Sequence, residues 1–361
     1  MSAPEVLVGV EGEVGRLTLN RPAALHALTT DMCRRMTEAL LAWREDPRVR
    51  AVIIDHAGER GFCAGGDIRM LAESGAGDGA AAREFFFTEY RLNALLFDYH
   101  KPVVAVMDGI TMGGGVGIAM PAKFRIATER TAFAMPETGI GLFPDVGGGW
   151  HLSRLQRHAG MWLALTGARI KADDCFALKI ATHVVPAADL PALKAAVVAE
   201  PAKIPDAIAP FAHDPASAPL EARLADIDRL FGRESVEAIV AALEADPSDW
   251  ARAQLETLKT KSPQTLKVAF RQLATGARLA SFVEEMRMEY RIAARVVGRH
   301  DFLEGVRAVI VHKDNAPAWR PASLAGVTGA LLDEIFAPLP PAEEWTPLPD
   351  ANAAGLANQD P

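Results

Sequence analysis

Cysteine is scarce: Cys33, Cys63 and Cys175 are the whole set, odd in number and widely spaced. No secreted-type disulfide framework can come from them, so the chain has to stabilise itself by burying apolar surface. Excess positive charge is also missing. With 38 Lys+Arg against 46 Asp+Glu the formal net charge is −8, and no Lys/Arg-rich run interrupts the text. That excludes a broad polyanion-binding surface, and no nucleic-acid partner is expected. The opening MSAPEVLVGVEGEV shows neither a basic segment leading into an apolar one nor the Arg-rich, acid-poor composition of a transit peptide, so a cytoplasmic location is expected. Long unbroken apolar runs are absent as well. The best candidate, Pro102 to Ala122, carries one charge, Asp108, but Gly109, Gly113, Gly114, Gly115 and Gly117 break it up, so no membrane span is expected.

Several standard signatures are lacking: G-x-x-x-x-G-K-[ST], H-E-x-x-H, G-x-S-x-G and C-x-x-C do not occur. The nine histidines show no ligand spacing, so no metal is expected. The tri-glycine run has no third glycine at dinucleotide-binding spacing.

What is present is a globular balance, 361 residues of which 50% are apolar and 23% charged, long enough for about two domains. Val6–Val10 and Val14–Leu19 predict a hairpin across Glu-Gly-Glu, and the spacing of Met32, Met36, Ala39, Leu40 and Trp43 predicts a helix from Thr30. Ala51–Ile54 and Val103–Met107 read as buried strands, each leaving through a glycine-containing loop toward a helix, and Phe124–Ala127 and Thr131–Met135 as two more. Repeated strand–loop–helix units imply an α/β class with parallel strands. From Leu190 onward the text is Ala-rich, charged and helical, with Pro201, Pro205, Pro210, Pro215 and Pro219 marking a loop-rich boundary. The expected divisions are a core over 1–190, a linker and helical extension over 191–262, a helical region over 263–336 and a flexible Pro-rich tail over 337–361.

Three segments carry candidate chemistry. Gly61-Phe-Cys-Ala-Gly-Gly-Asp67 and Asp108-Gly-Ile-Thr-Met-Gly-Gly-Gly-Val-Gly117 could each aim backbone N–H groups at one oxygen, or could simply be tight turns packing helices on strands. Met135-Pro-Glu137-Thr-Gly-Ile-Gly-Leu-Phe-Pro-Asp145 sets two carboxylates eight residues apart in apolar surroundings. Such surroundings raise carboxyl pKa values, which suits acid, base or nucleophile work, although capping a turn would account for either residue equally well.

These segments, with NRPAALHAL, FCAGGDIRM, KPVVAVMDGITMGGGVG and AMPETGIGLFPDVGGG, resemble the enoyl-CoA hydratase/isomerase (crotonase) superfamily. Within it, FFFTEYRLN, KSPQTLKVAFRQL and MEYRIAARVVGRHDFLEGVRAVIVHKD are similar to the 3-hydroxyisobutyryl-CoA hydrolase subfamily. The resemblance implies a crotonase (ClpP/crotonase-like) α/β fold, a spiral of ββα units with a helical C-terminal region. It implies an acyl-CoA substrate, no cofactor beyond the coenzyme A of that substrate, and a homo-oligomer of trimer type. It places an oxyanion hole at the backbone N–H groups of Ala64 and Gly114. Glu137 and Asp145 would be catalytic, with Glu89, Gly114, Glu137 and Asp145 contacting substrate, and Ala64, Gly65, Gly66, Asp67 and Arg69 near the coenzyme. Hydratases of the superfamily carry a second catalytic glutamate where this chain has Gly117, so the resemblance points to hydrolysis rather than hydration. Glu137 would either attack the thioester carbon or activate a water. Cys63 reads as a small buried residue, and His26 stands where the family usually has Asn.

Overall fold

Apolar runs of three to six residues are too short to make a large sheet singly, and the chain stacks them in pairs. The computed structural model describes residues 3–215 and 218–349. In it β1 (Val6–Glu11) and β2 (Val14–Leu19) form the expected antiparallel hairpin, with Glu11 opposite Val14. Helix α1 (Thr30–Glu45) starts where the Thr29 side chain accepts the Met32 N–H at 3.2 Å.

Three strand pairs follow. β3 (Ala51–His56) and β4 (Gly61–Cys63) lead into α2 (Ile68–Gly75) and α3 (Ala80–Phe97). β5 (Val103–Met107) and β6 (Ile110–Met112) lead into α4 (Gly114–Ala119). β7 (Phe124–Ala127) and β8 (Ala132–Ala134) lead into a 3₁₀ turn, Glu137–Ile140, and then α5 (Gly148–Ser153). The first strand of each pair joins a six-stranded sheet ordered β1-β2-β3-β5-β7-β9, closed by β9 (His183–Val184). The second strand of each joins a small parallel sheet, β4-β6-β8. Two of these second strands, β4 and β6, lie inside segments the sequence reads as loops.

Alternation along β3 and β5 divides the interior. Val52, Ile54, Val103, Ala105 and Met107 enter the main core, while Ala51, Ile53, Val104 and Val106 face a second cluster with Leu190, Leu193, Val197, Ile204 and Ile208. Residues 190–208 therefore cover one face of the large sheet instead of linking domains. The later helices, including Pro263–Gly276 and Phe282–Val296, share the main core with the strands.

The expected flexible tail over 337–361 does not hold for its first part. Trp345 is completely buried, with its Nε1–H donating to the Phe87 carbonyl at 3.2 Å, and Glu344 pairs with Arg291 at 2.8 Å. Residues 350–361 lie outside the described residues. Proline-rich text forbids a helix, but it does not forbid packing when one large aromatic finds a cavity. Trp345→Ala should cost about 3–5 kcal/mol of stability. Thermal unfolding checks this, and an unchanged Tm would mean that the segment is dispensable.

Candidate active site

Parallel strands end on the same side, and the small sheet uses this to gather its exits. Cys63 pairs with Thr111 and Met112 with Ala134, so the chain leaves β4, β6 and β8 along one rim. The next residues are Ala64–Gly66, Gly113–Gly114 and Glu137. Ligand sites of open α/β sheets form at this carboxyl end for the same reason.

A cavity of about 520 Å³ opens there. Ala64, Gly65, Gly66, Glu89, Gly114, Glu137 and Asp145 all line it, together with apolar Phe85, Phe86, Met112, Ile140 and Leu142. Two expected residues are not on its wall. Asp67 accepts from Arg21 at 2.8 Å and caps α2 through the Met70 N–H at 3.3 Å, so its role here is to shape the loop. Arg69 is exposed and, among the described residues, reaches only the Ile310 carbonyl, at 3.4 Å. His26 is buried and its Nδ1 accepts the Arg21 N–H at 3.0 Å, which makes it part of the turn before α1. The Cys63 thiol donates to the His26 carbonyl, and burial pushes it up to about 12, so it stays a thiol.

Ala64 and Gly114, the two residues expected to offer backbone donors, both line the cavity. The Gly114 N–H, first in α4, has no acceptor among the described residues. The Ala64 N–H is engaged, donating to the Leu25 carbonyl at 3.0 Å. A side chain at Gly114 is impossible without rearrangement, because its Cβ would stand 2.5 Å from Glu89 Oε1 and 3.1 Å from Leu28 Cδ1.

Three carboxyls face this space. Glu89, on α3, is buried with Oε1 unpartnered, and burial followed by the neighbouring Asp145 pushes it well above the carboxylate range. Glu137 is also buried, with Oε2 unpartnered, and is raised by burial and then by Asp145. Asp145 accepts the Tyr90 hydroxyl at 2.8 Å, and burial pushes it up to about 7 despite that bond. Three such acids in one apolar cavity cannot all ionise at neutral pH, so the set holds protons and charge together.

Tyr90, Arg169 and Lys261 were not foreseen. Arg169 and Lys261 line the cavity and pair with no carboxylate among the described residues. Burial lowers the Lys261 ammonium, which has no anion beside it. In the sequence both look like ordinary surface cations, and only the fold brings them here. Tyr90 follows Glu89 directly and was the more findable of the three.

Gly117 is sealed. A Cβ there would lie 2.5 Å from Val146 Cβ and 2.8 Å from Asn93 Nδ2, so no side chain reaches the cavity from this position.

Residues 14–336 match the family described as enoyl-CoA hydratase/isomerase. A relative from Danio rerio named 3-hydroxyisobutyryl-CoA hydrolase, mitochondrial, is 47% identical over 93% of this chain and 90% of its own length. The Homo sapiens protein of the same name is 42% identical over 93% of this chain and 89% of its own length. Both names give a mitochondrial location, unlike the cytoplasmic one expected from composition. Among solved structures, one described as a carnitinyl-CoA dehydratase from Mycobacterium thermoresistibile superposes with a TM-score of 0.92 at 43% identity, covering 96% of this chain and 100% of that one. Another, described as an enoyl-CoA hydratase from Rhodobacter sphaeroides, gives 0.88 at 40% identity, covering 95% of this chain and 100% of that one. The fold is therefore the expected α/β spiral with its helical C-terminal region.

Proposed function

The chain belongs to the enoyl-CoA hydratase/isomerase family, and from that premise we propose that it hydrolyses the thioester of 3-hydroxyisobutyryl-CoA, releasing 3-hydroxyisobutyrate and coenzyme A in valine degradation. The observation that carries this reading is that Gly117 is sealed against Val146 and Asn93, while three acids share the cavity. Adding water across a double bond needs one group to deliver and one to accept a proton on either side of the substrate. The hydratase position for one of them holds only a hydrogen. The solved structures described as a dehydratase and a hydratase are about as similar as the named hydrolases, so overall similarity does not decide between the reactions, whereas Gly117 favours hydrolysis.

The thioester carbonyl sits against the Gly114 N–H, with the Ala64 N–H sharing its hydrogen between the Leu25 carbonyl and the substrate oxygen in a three-centre bond. Each donor meets the oxygen as it becomes negative, an effect worth about 3 kcal/mol per donor. Glu137 attacks the carbonyl carbon, expelling the coenzyme as a thiolate and leaving a mixed anhydride that a water then hydrolyses, or it takes the proton of a water that attacks the carbon directly and expels the thiolate. Glu89, fully buried, keeps its proton. Asp145, oriented by Tyr90, accepts the substrate's 3-hydroxyl. Arg169 and Lys261 supply positive charge for the coenzyme phosphates at the cavity wall.

A free-thiol assay over acyl-CoAs tests the substrate class. The 3-hydroxyisobutyryl and 3-hydroxypropionyl thioesters should exceed acetyl- and propionyl-CoA by at least about tenfold in kcat/KM, because a site built to bond a hydroxyl is left unpaired without one. Asp145→Ala should remove that preference by slowing the hydroxyacyl substrates alone. Equal loss on all four would reject the hydroxyl-reading role.

A further inference from the structure

Asp145 is followed by a residue in a costly conformation. Val146 has φ +55, in the left-handed region that β-branched residues avoid, and Gly147 follows at φ +89. Something outside the loop has to hold it, and two fully buried side chains from the C-terminal helices do so. Glu289 Oε2 accepts the Gly147 N–H at 2.8 Å and Oε1 accepts the Gly149 N–H at 3.1 Å. Gln272 Nε2 donates to Glu289 Oε1 at 2.9 Å and to the Pro144 carbonyl at 2.6 Å. The backbone just before and just after Asp145-Val146 is thus tied to one pair of side chains.

An apolar residue would fill the same volume without the cost of burying a carboxylate. A carboxyl offers one oxygen to each of the two backbone N–H groups, where an amide would offer one oxygen and an NH₂. We infer that Glu289, braced by Gln272, is a positioning residue that holds the strained Asp145–Val146 turn so that the Asp145 carboxyl faces the substrate's hydroxyl-bearing carbon. This rests on the proposed hydroxyl recognition by Asp145. It assigns the C-terminal helices Pro263–Gly276 and Phe282–Val296 a part in specificity as well as in packing.

The test is a double-mutant cycle on the full-length protein, read as kcat/KM for thiol release from 3-hydroxyisobutyryl-CoA and acetyl-CoA. Glu289→Gln keeps the shape but leaves an amide NH₂ facing one of the two N–H donors. It should lower the hydroxyacyl reaction about tenfold or more and leave acetyl-CoA within about twofold, and in the Asp145→Ala background it should cost nothing further. Equal loss on both thioesters, or the full loss repeated in that background, would reduce Glu289 to a purely structural role. If Glu289→Gln does not fold, Gln272→Ala gives the same readout, with a smaller loss confined to the hydroxyacyl substrate, and a uniform loss overturns the inference. Asp145→Ala measured alone shows whether hydroxyl recognition fails, and the coupling between the two sites shows whether the clamp fails, so the two failures can be told apart.

Discussion

Glu137→Gln lowers thioester cleavage by about 10³-fold, the size expected when a positioned carboxylate is lost as nucleophile or general base. The substitution is nearly isosteric, so the cavity and the proposed oxyanion donors stay in place and binding of the proposed acyl-CoA substrate changes little. The same variant has a second signature of opposite sign. Burial and the nearby Asp145 raise the Glu137 carboxyl well above its ordinary value. In acid the folded and unfolded chains both hold that proton. As pH rises the unfolded chain ionises first, so the wild-type fold loses stability until its own carboxyl ionises. Glu137→Gln should therefore melt higher than wild type at neutral and alkaline pH, and the gap should close below the usual carboxylate range. A variant that is inactive but more stable at pH 8 fits a carboxyl held for chemistry. One that is inactive and less stable fits a packing role.

Gly114→Ala carries the second large effect, a loss in kcat of about 10²–10³-fold. The added methyl must displace Glu89, whose Oε1 would lie 2.5 Å away, and Leu28 at 3.1 Å. The Gly65 backbone, 3.3 Å from that methyl, gives way less readily than a side chain, so the first turn of α4 shifts and takes the Gly114 N–H off the line of the proposed oxyanion. Steady-state kinetics with circular dichroism separates this from unfolding. A folded Gly114→Ala protein with near-wild-type kcat would place the carbonyl oxygen elsewhere, the Gly65 loop being the nearest alternative.

Much of this arrangement was legible in the residues, and what was hidden was hidden for physical reasons. Val103–Met107 announces itself because five consecutive buried residues can hardly be anything but a central strand. β4 and β6 span three residues each, shorter than any period can be recognised over, and they sit in glycine-rich text that reads as loop. The division of the strands between two sheets was therefore invisible, and with it the reason the glycine loops and Glu137 meet. Glu89, Glu137 and Asp145 could be singled out from their motifs, but not the shared protons that their common burial imposes. The engagement of the Ala64 N–H by Leu25 is set by a turn in which Leu25 and His26 both take positive φ, which neither residue type signals. Arg169, Lys261 and Trp345 come from distant segments, and only tertiary packing gives them a role at the cavity or in the core.

The measurement closest to the central claim follows one sample by two readouts: free thiol released, and enoyl-thioester absorbance with crotonyl-CoA as substrate. The sealed Gly117, with Glu137 and Asp145 in the cavity, predicts catalytic thiol release from 3-hydroxyisobutyryl-CoA, and crotonyl-CoA that keeps its double bond. Rapid loss of the crotonyl absorbance with no thiol from the hydroxyacyl thioester would contradict it, and would make this cavity a hydratase site working without the second glutamate.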